Sequence, residues 1–174
     1  MIELDNRVSV LIIQHPDEEF HPFNTGRIVQ HCLSRCETVV ARQISEENLK
    51  KAVGDSAALL YPTMSWMNAA PAVGVSSEMN KECVSGLVLL DATWRKSKRL
   101  LHENPHLQLL PRLSLQDGLL SKYRIRKSSI ENALSTVEST AAALELIEGD
   151  TKYRRLLEPF DKMVHMQLEY KPVR

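Results

Sequence analysis

The chain reads as an α/β protein with a mainly parallel sheet flanked by helices. Strand-like and helix-like patterns alternate through its first hundred residues. Its strand runs are nearly all apolar, as strands covered on both faces are. One of them ends on an acid and leads straight into a helix, at the carboxyl edge where α/β proteins hold ligands.

Each element has its own signal. Val8–Ile13 (VSVLII) is β-rich and nearly continuous in apolar side chains, which predicts a buried strand. Thr25–Arg35 suits a helix, with Ile28, Cys32 and Leu33 at helical spacing, and Asn24 or Thr25 is placed to cap it. Glu37–Arg42 contains Thr-Val-Val and reads as the second strand. Glu46–Val53 is a short polar helix. Ala57–Tyr61 is a third strand, stopped by Pro62. Gly86–Leu90 is a fourth, followed by a helix over Thr93–Glu103, and Arg112–Leu115 is a short strand. Ser135-Thr-Val-Glu138 fits a capping box, in which the serine hydroxyl and the glutamate carboxylate serve each other's backbone donors. Ala141–Leu146 continues that helix and Gly149 stops it. A last helical region covers Lys152–Tyr170, broken or restarted at Pro159.

The 174 residues are taken as one domain, 1–174, long enough for a sizeable core. Twenty-two basic and 22 acidic side chains cancel, so only local clustering can argue for nucleic acid. No run approaches the roughly 20 apolar residues of a membrane span, and the N-terminus has no signal-peptide pattern. Three cysteines are an odd number and form no disulfide framework, which suits a reducing, cytoplasmic setting. Cys32 and Cys36, spaced for one helical face beside His31, are too few for a zinc site and read as reduced core thiols; no metal is expected. Walker, Rossmann, His-Glu-x-x-His and Gly-x-Ser-x-Gly motifs are all missing.

The chemistry concentrates after the fourth strand. Asp91 either caps the following helix or accepts a proton or hydrogen bond from a substrate, and the two roles are compatible. Trp94 is either core or a stacking platform. Arg95, Lys96, Lys98 and Arg99 take up most of the helix circumference, and residues 92–102 contain no acid to pair with them. Cations beside an aromatic ring suit nucleic acid, the alternative being a solvated helix face. A second basic cluster, Lys122-Tyr123-Arg124-Ile-Arg126-Lys127, interleaves a tyrosine with four cations, and Arg112 lies upstream. Acids collect elsewhere, at Asp17–Glu19, Glu46–Glu47 and Glu145–Asp150. The residues alone therefore reach an RNA-facing α/β protein with a basic, aromatic rim around Asp91.

The Asp-x-Thr-Trp-basic pattern at 91–95 resembles the signature of the DTW-domain tRNA-uridine aminocarboxypropyltransferases. Gln14-His15-Pro16 with Asn24-Thr25-Gly26-Arg27 resembles that family's first motif, and Leu60-Tyr61-Pro62 its second. Pro111-Arg112, then Tyr123-Arg124-Ile-Arg126-Lys127, then Ser135-Thr136-Val-Glu138 resemble the later ones. The resemblance implies transfer of the 3-amino-3-carboxypropyl group of S-adenosylmethionine to N3 of a tRNA uridine, on a SPOUT-like fold with a C-terminal trefoil knot. It implies Asp91, Thr93 and Trp94 as the catalytic group. Leu60, Tyr61, Pro62, Leu90, Asp91, Arg112, Ser135, Thr136 and Glu138 are then the cofactor-binding residues, Glu138 being open between helix cap and cofactor ligand. Arg27, Arg95, Lys96, Arg99, Tyr123, Arg124, Arg126 and Lys127 are the expected RNA contacts. Methyl transfer to RNA by a SPOUT-type enzyme, and RNA binding without catalysis, are the competing functions. The chain departs from the family in carrying no N-terminal cysteine cluster and in having Ala92 where glycine is usual. No protein partner is evident, and monomer and homodimer stay open.

Overall fold

A computed structural model of the chain describes residues 2–62, 81–115 and 134–169. Five parallel strands form one sheet in the order β2-β1-β4-β3-β5: β1 Ser9–Gln14, β2 Cys36–Val40, β3 Ala57–Leu60, β4 Gly86–Asp91 and β5 Arg112–Leu113. Helix α1 (Gly26–Cys32) joins β1 to β2, α2 (Glu46–Val53) joins β2 to β3, and α3 (Trp94–Glu103) lies between β4 and β5. Helices α4 (Thr136–Glu148) and α5 (Leu157–Glu169) complete the described chain. No helix among the described residues is long and apolar enough to cross a membrane.

The pleat divides the apolar side chains between two faces. Val10, Ile12, Leu87 and Leu89 pack with Val29 of α1, Ala141–Leu144 of α4 and Phe160 of α5. Leu11, Ile13, Leu59 and Val88 pack on the other face with Leu49 and Val53 of α2 and Leu101 of α3. Both faces are covered, which is why the strands carry no apolar–polar alternation. Gln14 and Asp91 continue the rows Val10–Ile12 and Leu87–Leu89, so the pleat directs both toward the side of α1 and α4.

Helix α4 opens with the expected capping box. Glu138 N–H donates to Ser135 Oγ at 3.4 Å, and Glu138 Oε2 accepts Ser135 N–H at 2.7 Å. Three alanines let this helix approach the sheet closely, and Gly149 ends it in the left-handed region at φ 71°. At the far end of α4, Glu148 Oε1 accepts the Val8 N–H at 2.9 Å, and Glu148 also accepts the hydroxyl of fully buried Tyr153. Burial, then the Glu148 carboxylate, push that hydroxyl well above the usual tyrosine range.

Three expectations are corrected. The first helix stops at Cys32, before the predicted Arg35. Buried Asn6 takes over the backbone beyond it, donating to Arg35 O and accepting Arg35 N–H, both at 3.0 Å. Cys32 and Cys36 therefore share no helical face: one ends α1 and the other begins β2. Both thiols do pack in the core, and burial, then the Glu37 charge, push Cys36 up to about 12. The last helical region is two pieces, a 3-10 helix over Thr151–Leu156 and then α5. Pro159 lies in the first turn of α5, where its missing N–H has no partner to lose. Tyr170 lies outside the described residues.

Gly86 begins β4 where α2 ends against it. A Cβ there would lie 2.3 Å from both Cβ and the carbonyl oxygen of Val53. Gly86→Ala is expected to cost about 3 kcal/mol, because backbone must move. Gly149→Ala, in open space but at positive φ, is expected to cost about 1 kcal/mol. Urea unfolding of both variants checks the ranking.

Candidate active site

Gln14 and Asp91 face each other as the last paired residues of β1 and β4. The chain leaves β1 toward β2 on one side, while β4 is followed by β5 on the other, so these two residues mark the switch point of the sheet. Gln14 Nε2 donates to Asp91 Oδ2 at 2.7 Å, and Thr136 Oγ1 donates to Asp91 Oδ1 at 2.7 Å. The carboxylate is 9% exposed with both oxygens hydrogen-bonded.

Three helices begin around this acid. Thr136 starts α4. The first turn of α1 closes onto it through Gly26, where a Cβ would sit 3.1 Å from Asp91 Oδ2 and 3.1 Å from Asn24 Oδ1. The N-cap of α1 is Thr25, which makes no side-chain cap bond, and Asn24 just before it accepts the Arg27 N–H through Oδ1 at 3.3 Å. Helix α3 begins three residues after Asp91, but Asp91 does not cap it, which corrects one of the two readings. The N-cap is Thr93, which is exposed and makes no side-chain cap bond, while the Asp91 oxygens are committed to Gln14 and Thr136.

A cavity of about 230 Å³ opens beyond the carboxyl ends of β3, β4 and β5, between the first turns of α3 and α4. Leu60, Pro62, Leu90 and Leu113 give it apolar walls. Tyr61 and Trp94 give it an aromatic side, their rings edge to face at 5.7 Å. Trp94 is 44% exposed, which settles it as cavity wall rather than core. Tyr61 Oη and Ser97 Oγ are 3.0 Å apart, and Ser97 Oγ donates to Trp94 O at 3.0 Å, fixing the ring pair to the helix. Burial pushes the Tyr61 hydroxyl up, so it stays a neutral phenol. Thr136 and Ser139 add hydroxyls from α4.

None of the described lining residues is charged. The wall suits a ligand with a flat ring and an apolar chain, and the two helix N-termini favour an anionic group.

Of the predicted cofactor residues, Leu60, Tyr61, Pro62, Leu90 and Thr136 line the cavity. Asp91, Arg112, Ser135 and Glu138 are buried and do not line it. Glu138 is held in the capping box. Gln14, Ser97 and Ser139 were not singled out as site residues. Gln14 was legible in principle, as a polar amide ending an apolar strand as Asp91 does. Ser97 and Ser139 carry no signal apart from their helical phase.

The basic helix also differs from expectation. Its acids are not absent but come from elsewhere. Lys96 Nζ lies 2.8 Å from Glu18 Oε1 and 3.3 Å from Asp17 Oδ2, on the 3-10 turn Pro16–Glu18 after β1. Arg99 Nε lies 2.6 Å from Glu103 Oε1, one residue past the acid-free stretch. Arg95 and Arg99 are exposed, and Arg27 donates to the Glu19 carbonyl. Tyr123, Arg124, Arg126 and Lys127 lie outside the described residues.

Fold and cavity together define an α/β protein with an open cavity at the carboxyl edge of a parallel sheet. The chain belongs to the DTW domain family, which matches residues 2–168. It is 31% identical over 168 residues to mouse (Mus musculus) tRNA-uridine aminocarboxypropyltransferase 2, covering 91% of this chain and 54% of that protein. It is 29% identical to the protein of that name from Macaca fascicularis, over 91% of this chain and 54% of the relative, and 29% identical to the one from Drosophila melanogaster, over 92% and 64%. The chain thus spans about half the length of the mammalian relatives it matches. No solved structure matches it.

The Lys96 ammonium holds the Asp17 carboxyl below its ordinary value of 3.8, and Glu18 foremost, then Asp17, hold Lys96 above the ordinary amine value. A depressed acid stabilises the fold above its unfolded pKa and loses that contribution as pH falls through its folded pKa. A raised amine keeps its contribution until pH rises through its folded pKa. The contact is therefore expected to persist across the neutral range. A carbon-13 NMR titration is expected to place the Asp17 midpoint below 3.8, and Lys96→Met to return it toward that value.

Proposed function

We propose that this chain transfers the aminocarboxypropyl group of S-adenosylmethionine to N3 of a uridine in tRNA; its relatives' names describe aminocarboxypropyl transfer to tRNA uridine, and the donor and the N3 position are part of the proposal. The observation that carries this reading is Asp91, gripped on both oxygens beside an uncharged cavity, with the Thr136 hydroxyl lying between carboxylate and opening. When bound, S-adenosylmethionine supplies a carbon activated by a positively charged sulfur. Trp94 and Tyr61 offer a wall for its adenine, Leu60, Pro62 and Leu90 an apolar seat, and the first turns of α3 and α4 a positive end for its carboxylate. Arg112 is buried on β5, one residue before the lining residue Leu113. Ser135 and Glu138 act through the capping box, which sets the position of Thr136.

Uridine N3 must lose a proton as it becomes the nucleophile. Thr136 stands at the cavity wall with its own proton already directed at Asp91 Oδ1. Its oxygen accepts the N3 proton while its hydroxyl proton passes to Asp91, so charge is conserved and no water is needed. Gln14 keeps the other carboxylate oxygen fixed. Thr93 is exposed at the N-cap of α3, between the lining residues Ala92 and Trp94.

The finer fold reading belongs with this proposal. The all-parallel order β2-β1-β4-β3-β5 supports a SPOUT-like fold, whose C-terminal part would form the trefoil knot. A single domain is supported by one core cluster that runs from Leu4 to Phe160. Three unpaired cysteines suit the cytoplasm.

Asp91→Asn is expected to lower aminocarboxypropyl-uridine formation by roughly 10²- to 10⁴-fold with the fold retained. Thr136→Val should follow it, and Thr136→Ser should keep most activity. Mass spectrometry of nucleosides from tRNA incubated with the donor reads all three. Wild-type yield from Asp91→Asn overturns the assignment, a methylated uridine indicates methyl transfer, and tRNA binding without an adduct indicates a binding module.

Arg95→Gln with Arg99→Gln is expected to weaken tRNA binding and to reduce its log–log salt slope by roughly 1 to 2. Lys96→Gln should change the slope less, since two acids already neutralise Lys96.

A further inference from the structure

The loop between β1 and α1 exposes more aromatic surface than a solvated turn requires. Phe20 is 83% exposed and Phe23 45% exposed, with His21 between them and its ring 6.2 Å from that of Phe23, edge to face. Large apolar groups on a surface loop are costly unless something covers them.

The loop is held in place at several points. Lys96 of α3 grips its first turn at Asp17 and Glu18. Asn24 Nδ2 donates to Glu18 O at 3.1 Å, the His21 N–H donates to the same carbonyl at 3.1 Å, and Arg27 donates to Glu19 O. Its far end runs into Gly26, packed against Asp91. The backbone carrying these rings is thus fixed, and its first turn is joined to α3, whose own first turn carries Trp94 of the cavity wall.

We propose that Phe20, His21 and Phe23, with the exposed Arg27 beside them, form a platform that stacks unpaired bases next to the target nucleotide. This rests on the RNA reading of the site above. Exposed rings stack only on bases whose faces are free, which selects single-stranded or looped RNA over a continuous helix. The chemistry makes the same demand independently. Uridine N3–H is the base's pairing donor, so a nucleotide modified there must be unpaired and turned out of its stack. Arg27 supplies a cation for the adjoining phosphate. The platform thus gives affinity for an opened loop, and the cavity selects one base from it.

The test compares the wild-type chain with Phe20→Ala/Phe23→Ala. Fluorescence anisotropy measures binding of an unstructured 12-nucleotide oligouridylate and of a 12-base-pair RNA duplex. Calorimetry measures S-adenosylmethionine binding to both proteins. The expected result is a roughly tenfold or greater loss for the single strand in the double variant, with duplex and S-adenosylmethionine binding unchanged. If the wild type binds the single strand and the double variant binds it equally well, the platform is wrong while the RNA reading stands. If the wild type binds neither that oligonucleotide nor tRNA, the RNA reading itself fails and the platform fails with it. An equal loss for strand and duplex overturns the preference for unpaired bases.

Discussion

A carboxylate at the end of two apolar strands is tolerated only if each of its oxygens is satisfied, and the arrangement of this molecule around Asp91 follows from that requirement. Leaving such a group unpaired would cost several kcal/mol. The amide of Gln14 comes from the neighbouring strand and the hydroxyl of Thr136 from a helix that follows 45 residues later. Gln14 is available only if β1 and β4 pair in one register, because a one-residue slip would turn it to the opposite face. Gly26 completes the arrangement by lacking the side chain that would separate α1 from the carboxylate.

The same constraint separates charge from the ligand cavity. The described cavity wall is uncharged, and the acid stands one hydrogen bond behind it. A carboxylate facing the opening directly would be solvated and would attract any cation. Here the Thr136 hydroxyl lies at the cavity wall and donates to the buried carboxylate. The capping box shares in this placement, because the bonds between Ser135 and Glu138 fix the turn from which Thr136 projects. Glu138 can therefore influence the site without lining it.

Much of this was legible in the sequence, for identifiable reasons. Both-face burial leaves strands such as Ser9–Gln14 without polar interruption, and the capping box is a short pattern with one geometric meaning. Asp91 could be placed at the carboxyl edge because its strand ends there. That Gln14 and Thr136 pair with it could not be read, because the pairing depends on strand order and on where α4 begins. The early end of α1 was hidden for a similar reason: Asn6, 29 residues upstream of Arg35, captures backbone that helical spacing would have continued.

The cationic helix shows how far such distant pairing changes a local reading. Within residues 92–102 the cations have no acid, and the segment resembles a uniform basic face. In the folded chain Lys96 reaches Glu18, 78 residues away, so one cation becomes a structural clamp while Arg95 and Arg99 stay on the surface. The clamp ties the loop carrying Phe20 and Phe23 to the first turn of α3, which carries Trp94. Lys96, paired with Glu18 and Asp17, is committed to that geometry.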